Sequence, residues 1–265
     1  MNNDTLFTVR DLHVTYRRPG EKPLEAVKGV SFTLAAGETL GIVGESGSGK
    51  STIAKALMLL QPTSGGEILF CGKDIAQFDR AARAAYRRDV QMVFQDAVGS
   101  LNPRMTVRQT LDEALRHAAA RSAVPRAVGA HSLLDTVGLS TAVLDQYPRE
   151  LSGGQCQRAS FARALAMGPR VLVADEPVSA LDVSVQARIL NLLRELRRNL
   201  GLSVILIAHD LAVVRNVCDR VCVMHRGLFA DAGPAEAVFA HPQSAYTRDL
   251  LAAVPDVARE LARRA

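Results

Sequence analysis

The sequence predicts an α/β protein: a parallel, helix-covered sheet that carries a phosphate-binding loop, with antiparallel β material ahead of the loop and a helical subdomain inserted behind it. Three observations lead there. Gly44-Glu45-Ser46-Gly47-Ser48-Gly49-Lys50-Ser51 satisfies G-x-x-x-x-G-K-[ST] at every specified position and stands between a short apolar run and a breaker-free helical segment. Further strand-sized apolar runs alternate with helical segments downstream. Between Asp96 and Arg163 the β-branched runs disappear and Ala, Leu and Arg dominate, which marks a helical insertion.

Taken in order, Leu6, Val9, Leu12 and Val14 alternate loosely with polar residues up to Tyr16, Arg17–Pro23 is a charged turn, and Ala26–Leu34 is a return strand. Thr39–Val43 reads as a buried strand and Ser51–Leu60 as a helix. Pro62–Gly66 is a turn, Glu67–Phe70 a short strand, Arg80–Arg88 a basic helix, and Val90–Phe94 a buried strand ending at Gln95. The insertion offers helices over Val107–Ala120, Ala127–Val137 (stopping at Gly138) and Gln155–Ala166. Val171–Asp175 returns to buried-strand character, Ser184–Leu200 is a long helix closed by Gly201, and Ser203–Ala208 is another apolar strand. These divide the chain into a P-loop NTPase core with its antiparallel β subdomain at 1–95 and 164–240, a helical subdomain at 96–163, and a short peripheral tail at 241–265.

Composition narrows the class of function. With 48% hydrophobic and 22% charged residues over 265 positions the chain is an ordinary globular one with ample core material. No apolar run approaches the ~18 residues of a membrane helix, and Met1-Asn2-Asn3-Asp4 does not open a signal sequence. A cytoplasmic chain that reaches a membrane only through a partner is expected. The net charge of +5 is spread over helical segments such as Arg80–Arg88, Arg194–Arg198 and Arg259–Arg264, which reads as solvated helix faces and not as a nucleic-acid surface. Cys71, Cys156, Cys218 and Cys222 are too few and too irregular for a disulfide framework. Cys218 and Cys222 read as small buried residues at a helix-to-strand junction and not as a metal pair.

The chemistry begins at the loop. Gly44, Gly47 and Gly49 let backbone N–H groups turn inward around phosphate oxygens, and the following helix points its positive end at the same anion. Lys50 supplies a charge for the β/γ-phosphates and Ser51 an oxygen for Mg²⁺; Ser46, Ser48 and Thr52 complete the nucleotide-binding set. Asp175-Glu176 ends a buried strand, where Asp175 is positioned to hold the Mg²⁺ and Glu176 to orient or deprotonate a water aimed at the γ-phosphate. Leu151-Ser152-Gly153-Gly154-Gln155 sets a serine and two glycines ahead of a helix beginning at Gln155. That is either a second anion site or a helix cap and nothing more.

These motifs together resemble the nucleotide-binding subunits of ABC transporters, over nearly the whole chain. The resemblance implies that Leu151–Gln155 is the signature motif, capping the γ-phosphate of ATP held by the opposite subunit of a head-to-tail dimer. It implies that Tyr16 stacks on adenine, that Gln95 senses Mg²⁺ and water, that Ser179-Ala180-Leu181-Asp182 crosses the dimer interface, and that His209 contacts the γ-phosphate. More narrowly, Gln95-Asp96, Ser100–Arg104, Asp175–Asp182 and the tail with Ala245-Tyr246-Thr247, Leu250-Leu251 and Val254-Pro255 resemble the peptide/nickel importer branch. Gln91–Gln95 and Asn102–Val107 are similar to the second of the two unlike ATPases that such importers use. Ala97 stands where a proline is common, Cys156 where a polar or basic residue is usual, and no cysteine lies beyond Cys222; the last departure resembles shorter members, including nickel and metallophore importers.

The expected protein is therefore an ATP- and Mg²⁺-dependent ATPase, peripheral on the cytoplasmic face of the inner membrane. It pairs with a paralogous ATPase, or with itself, on two permease subunits served by a solute-binding protein, and takes no nucleic acid. An ABC-type ATPase of nucleic-acid repair or translation is the alternative. An exporter ATPase and a binding-only cassette are weaker still, the latter because Lys50, Asp175, Glu176 and His209 are all in place.

Overall fold

The structure is a computed structural model that describes residues 4–17, 19–20, 22–119, 129–179 and 182–253. Two sheets form it. The first is antiparallel, with order β2-β1-β4-β5: β1 (Thr5–Tyr16), β2 (Leu24–Ala35), β4 (Gly65–Phe70) and β5 (Lys73–Asp74). Val9 faces Phe32 and Val14 faces Val27 across β1 and β2. Phe7 and Val9, then Leu12 and Val14 after a register shift, turn to the buried face of β1, as a sheet with one wet face requires.

The second sheet has order β10-β9-β3-β8-β7-β6. β3 (Thr39–Val43), β6 (Val90–Val93), β7 (Val171–Asp175), β8 (Ser203–Ala208) and β9 (Arg220–His225) run parallel, and β10 (Leu228–Pro234) closes one edge antiparallel. Every residue of β3, β7 and β8 is buried, which explains why these strands read as continuous apolar runs. Their side chains alternate between two cores. Ile42, Val173 and Ile205 join Phe7, Leu12, Ile53 and Tyr86 between the two sheets. Val43, Leu172 and Leu206 join Leu111, Leu134, Phe161 and Ile189 on the helical face. The two residue periods of strand and helix meet there.

Helix α1 (Lys50–Leu57) follows β3, and α2 (Arg80–Asp89) leads into β6. The helical segment contains α3 (Ala97–Ser100), α4 (Val107–Ala119), α5 (Ala130–Thr136) and α6 (Gly153–Ala166). Helix α7 (Val183–Leu200) precedes β8, α8 (Leu211–Arg215) precedes β9, and α9 (Ala235–Ala240) and α10 (Ala245–Ala252) end the described chain.

Several expectations need correction. α1 ends at Leu57 and not at Leu60, because the chain enters the left-handed region at Leu59 (φ 56) and Leu60 N–H turns back to Lys55 O. α6 starts at Gly153 and not at Gln155: Ser152 is the N-cap, its Oγ accepting from Gln155 N–H while Gln155 Oε1 accepts from Ser152 N–H. Of the segment expected to be peripheral, the described residues 243–253 are tied to the core, since Asp231 accepts from Gln243 and Ser244 N–H at 3.1 and 3.0 Å and seats α10 on β10. Ala120, Ala127, Ala180, Leu181, Val254-Pro255 and Arg259–Arg264 lie outside the described residues. Cys218 and Cys222 are buried, with burial pushing both thiols well above their ordinary pKa, that of Cys222 to about 12.

Phe161 sits at the centre of the helical-face core, fully buried. Phe161→Ala is expected to cost about 3–5 kcal/mol of unfolding free energy in chemical denaturation, from lost burial plus the cavity left behind.

Candidate functional site

The loop between β3 and α1 is held open by glycine. Gly44, Gly47 and Gly49 have φ of 150, 78 and 111°. A Cβ on Gly44 would sit 2.1 Å from Met224 O, and one on Gly49 2.4 Å from Ala26 O. Neither the conformation nor the space admits a side chain. Lys50 opens α1 with only 3% of its surface exposed. Its ammonium donates to Gly44 O and Glu45 O, both at 2.7 Å, and lies 3.4 Å from Ser48 Oγ. Burial lowers its pKa, against the opposing pull of Glu176, Asp175 and Glu45. A buried cation folded back on two carbonyls is poised to exchange them for stronger anionic acceptors.

Asp175, the last residue of β7, is 5% exposed and accepts from Ser51 Oγ at 3.0 Å. Burial raises its pKa and the Ser51 hydrogen bond opposes that shift. The next residue, Glu176, has φ 44, a strained conformation outside glycine. It is fixed by its N–H on Ile207 O and by Ser179, whose Oγ donates to Glu176 O at 3.1 Å. Glu176 Oε2 accepts from Gln95 Nε2 at 2.9 Å and lies 3.7 Å from His209 Nδ1. Gln95, expected beside Mg²⁺, thus spends its amide on Glu176.

Tyr16 reaches the same place from β1, its hydroxyl 3.3 Å from Thr52 Oγ1. Together these groups line an open cleft of about 660 Å³ that includes Tyr16, Lys50, Ser51, Gln95, Glu176 and His209. Its volume suits a nucleotide-sized ligand. The Ser51 and Asp175 oxygens are two adjacent hard donors, a set that fits a hard divalent cation completed by phosphate and water. Among the described residues no group of three or more His, Cys, Asp or Glu converges on a point, so the fit is to a substrate-shared ion and not to a protein-only cage.

Leu151, Ser152, Gly154 and Gln155 do not line this cleft. Gly153 does line a second cavity of about 380 Å³, which Gln95 and Glu176 also line. Gln157, missed in the sequence, also faces that cavity, with a buried Nε2 that has no hydrogen-bond partner among the described residues. Asp182 caps α7, accepting from Val185 N–H and Ser184 Oγ, and the Ser184 bond leads the forces that lower its pKa. A further group arrives unannounced: Tyr246 Oη accepts the Glu45 N–H at 3.2 Å, from a helix about two hundred residues downstream.

Residues 27–179 match the family model for the ABC transporter. The chain is 46% identical over 252 residues to the oligopeptide transport ATP-binding protein OppF of Escherichia coli, covering 94% of this chain and 75% of that protein. It is 51% identical over 239 residues to the probable peptide ABC transporter ATP-binding protein y4tS of Sinorhizobium fredii, covering 89% and 67% respectively. Among solved structures, it superposes with TM-score 0.76 and 29% identity on a dimeric post-hydrolysis state of the ATP-binding cassette MJ0796 bound to ADP and Pi, covering 87% of this chain and 99% of that one.

The buried Asp175 yields a stability prediction. Because its pKa is raised on folding, its ionised form is disfavoured in the folded chain, and that penalty is fully present above the raised value, hence at neutral pH. Asp175→Asn keeps an acceptor for Ser51 and removes the charge. It is expected to raise the melting temperature of the nucleotide-free chain at pH 7.5, with the gain shrinking as pH falls, which thermal melts across pH check.

Proposed function

The chain belongs to the ABC transporter family and is an ATPase of it, and from that premise we propose that it powers a binding-protein-dependent importer of peptides, as one half of an ATPase pair on two membrane subunits. The observation that carries the reading is the cleft in which Lys50, Ser51 and the Gln95–Glu176–His209 cluster meet, with Asp175 bonded to Ser51 beside it. The relatives above bear peptide-transport names, which favours transport over repair or translation and peptides over nickel or metallophore cargo.

The mechanism follows from the residues. Lys50 leaves the Gly44 and Glu45 carbonyls for the β/γ-phosphate oxygens, so the buried charge is neutralised by the substrate. Ser51 and Asp175 would hold Mg²⁺, which would screen the phosphate charge when bound. Glu176 accepts the proton of the attacking water, and its strained backbone with the Gln95 and Ser179 bonds keeps its carboxylate aimed. His209 contacts the γ-phosphate from the end of β8, and Tyr16 stacks on the base. Because Ser152, Gly154, Gln155 and Asp182 stand outside this chain's own cleft, we assign them to the site on the partner ATPase, with Ser152 and its helix N-terminus facing that γ-phosphate.

Transport enters through the segment from Asp96 to Thr106. It starts at Gln95 and leads to a surface cavity of about 670 Å³ lined by Arg104, Met105, Gln109, Asp112, Leu115 and Arg116. We read this hollow as the seat of a cytoplasmic helix of a membrane subunit, since segment movement then alters Gln95 and Glu176 together.

Two experiments test these assignments. Lys50→Ala is expected to weaken ATP binding and abolish hydrolysis, whereas Glu176→Gln keeps binding and slows hydrolysis by roughly 10²–10⁴-fold; wild-type turnover in either variant removes that residue from its role. For the partner assignment, Ser152→Arg in this chain plus the loop Lys→Ala change in the partner confines both lesions to one composite site. Both changes in this chain damage two sites. Single-turnover hydrolysis is expected to survive at one site in the first arrangement and to be lost in the second; loss of ATP binding at this chain's own Lys50 on Ser152→Arg alone defeats the assignment.

A further inference from the structure

The phosphate loop is gripped from outside by residues beyond position 220. Met224 O lies against Gly44, Gly227 N–H donates to Ser48 O at 2.9 Å, and Tyr246 Oη accepts the Glu45 N–H at 3.2 Å. The last contact falls on a sensitive peptide. The amide that Tyr246 holds and the Gly44 carbonyl that accepts the Lys50 ammonium at 2.7 Å belong to one peptide unit. That unit is planar, so fixing its N–H fixes the direction of its carbonyl. Gly44, at φ 150, has no side chain to hold the peptide in place.

We propose that Tyr246 is a positioning residue for ATP binding: through the Glu45 amide it locks the Gly44–Glu45 peptide, and so couples helix α10 to the shape of the phosphate loop. The proposal rests on the reading of Gly44–Ser51 as the ATP phosphate cradle. Tyr246 is itself well placed to act as an anchor. Its ring meets His225 edge-on, with centroids 3.9 Å apart and planes at 77°. Asp231 holds the turn ahead of α10 by the Gln243 and Ser244 amides, Ser244 Oγ caps the helix on Thr247 N–H at 3.0 Å, and Leu250 and Leu251 pack on the helical-face core. An anchor built this way moves only as a unit with β9 and β10. Loop and helix are then thermodynamically linked: whatever shifts α10 changes nucleotide affinity, and nucleotide in turn steadies α10.

The test uses the full-length chain with Tyr246→Phe, which removes the hydroxyl and keeps the ring on His225, and Tyr246→Ala, which removes both. In the nucleotide-free protein, hydrogen exchange of the Glu45 amide is expected to quicken at least about fivefold in Tyr246→Phe with the melting temperature unchanged. The dissociation constant for MgATP is expected to rise about three- to tenfold, while hydrolysis at saturating ATP in the assembled transporter stays within about twofold of wild type. MgATP is expected to slow amide exchange across 241–253 in the wild-type chain and not in Tyr246→Phe. Wild-type exchange at Glu45 and wild-type ATP affinity in Tyr246→Phe overturn the proposal, as does a loss seen only in Tyr246→Ala, which makes the ring a packing element and no more. If Lys50→Ala binds ATP normally, the cradle reading fails instead, and the Glu45 exchange rate still reports the tether separately.

Discussion

A buried ammonium sets the terms for the rest of this molecule. Lys50 is almost wholly out of water, and an unpaired cation there is costly. The two carbonyls that satisfy it, Gly44 O and Glu45 O, precede it by only a few residues, so the chain must curl back over the start of its own helix. That curl needs the positive φ angles of Gly44, Gly47 and Gly49. It also brings the loop so close to Met224 O and Ala26 O that strands from both sheets form its walls. The satisfaction is provisional by construction, because neutral carbonyls are weaker partners than phosphate oxygens.

The remaining groups reach the cleft by a shared rule of sheet geometry. The loop follows β3, Gln95 follows β6, Asp175-Glu176 ends β7 and His209 follows β8. In a parallel sheet these are all carboxyl ends, on one edge, at the place where open α/β sheets gather ligands. In-register pairing of Ala174 with Leu206 and Asp175 with Ile207 puts the acidic pair and His209 level, so Glu176 falls between Gln95 and His209. Depth then differentiates the two carboxylates. Asp175, still in the strand, is desolvated and hydroxyl-bonded, while Glu176, one residue further, faces the open cleft.

Much of this was legible in the sequence because the information is local or periodic. The loop motif names its own conformation, and fully apolar runs such as Val171–Ala174 and Val204–Ala208 declare burial on both faces. What was not legible depends on distance along the chain. Nothing around Tyr246 signals that its hydroxyl takes the amide of Glu45, and nothing around Gln157 signals a buried amide in the cavity that Glu176 also lines. Strand β9 opens on Arg220 and closes on His225, leaving only four buried residues between them, and α8 to α10 are too brief for their periodicity to stand out. The start of α6 was misplaced for another reason: Gly153 and Gly154 read as loop residues, yet Ser152 and Gln155 close a reciprocal cap that carries the helix through both. Gly154 lies so near Val185 that a Cβ would fall 2.8 Å from its Cγ1, so close packing on α7 is what glycine serves there.

The segment that leaves Gln95 is tied at both ends, and this bears on how chemistry is felt elsewhere. At one end Gln95 donates to Glu176. A few residues on, Ser100 Oγ meets Ser160 Oγ at 3.0 Å, and Arg163 donates to Ser100 O. Both partners are on α6, the helix that Ser152 caps. Arg163 is largely buried, with its pKa lowered by that burial, and a desolvated guanidinium does not readily surrender a backbone acceptor. The segment is therefore bound more firmly to α6 than to the carboxylate. A displacement imposed at its surface, near Arg104, must carry α6 and its Ser152 end along, and the contact that yields first is the exposed one between Gln95 and Glu176. On the proposed reading, the same small movement adjusts the phosphate-facing serine offered to the partner and the orientation of this chain's own base, which links the two composite sites without any contact between their nucleotides.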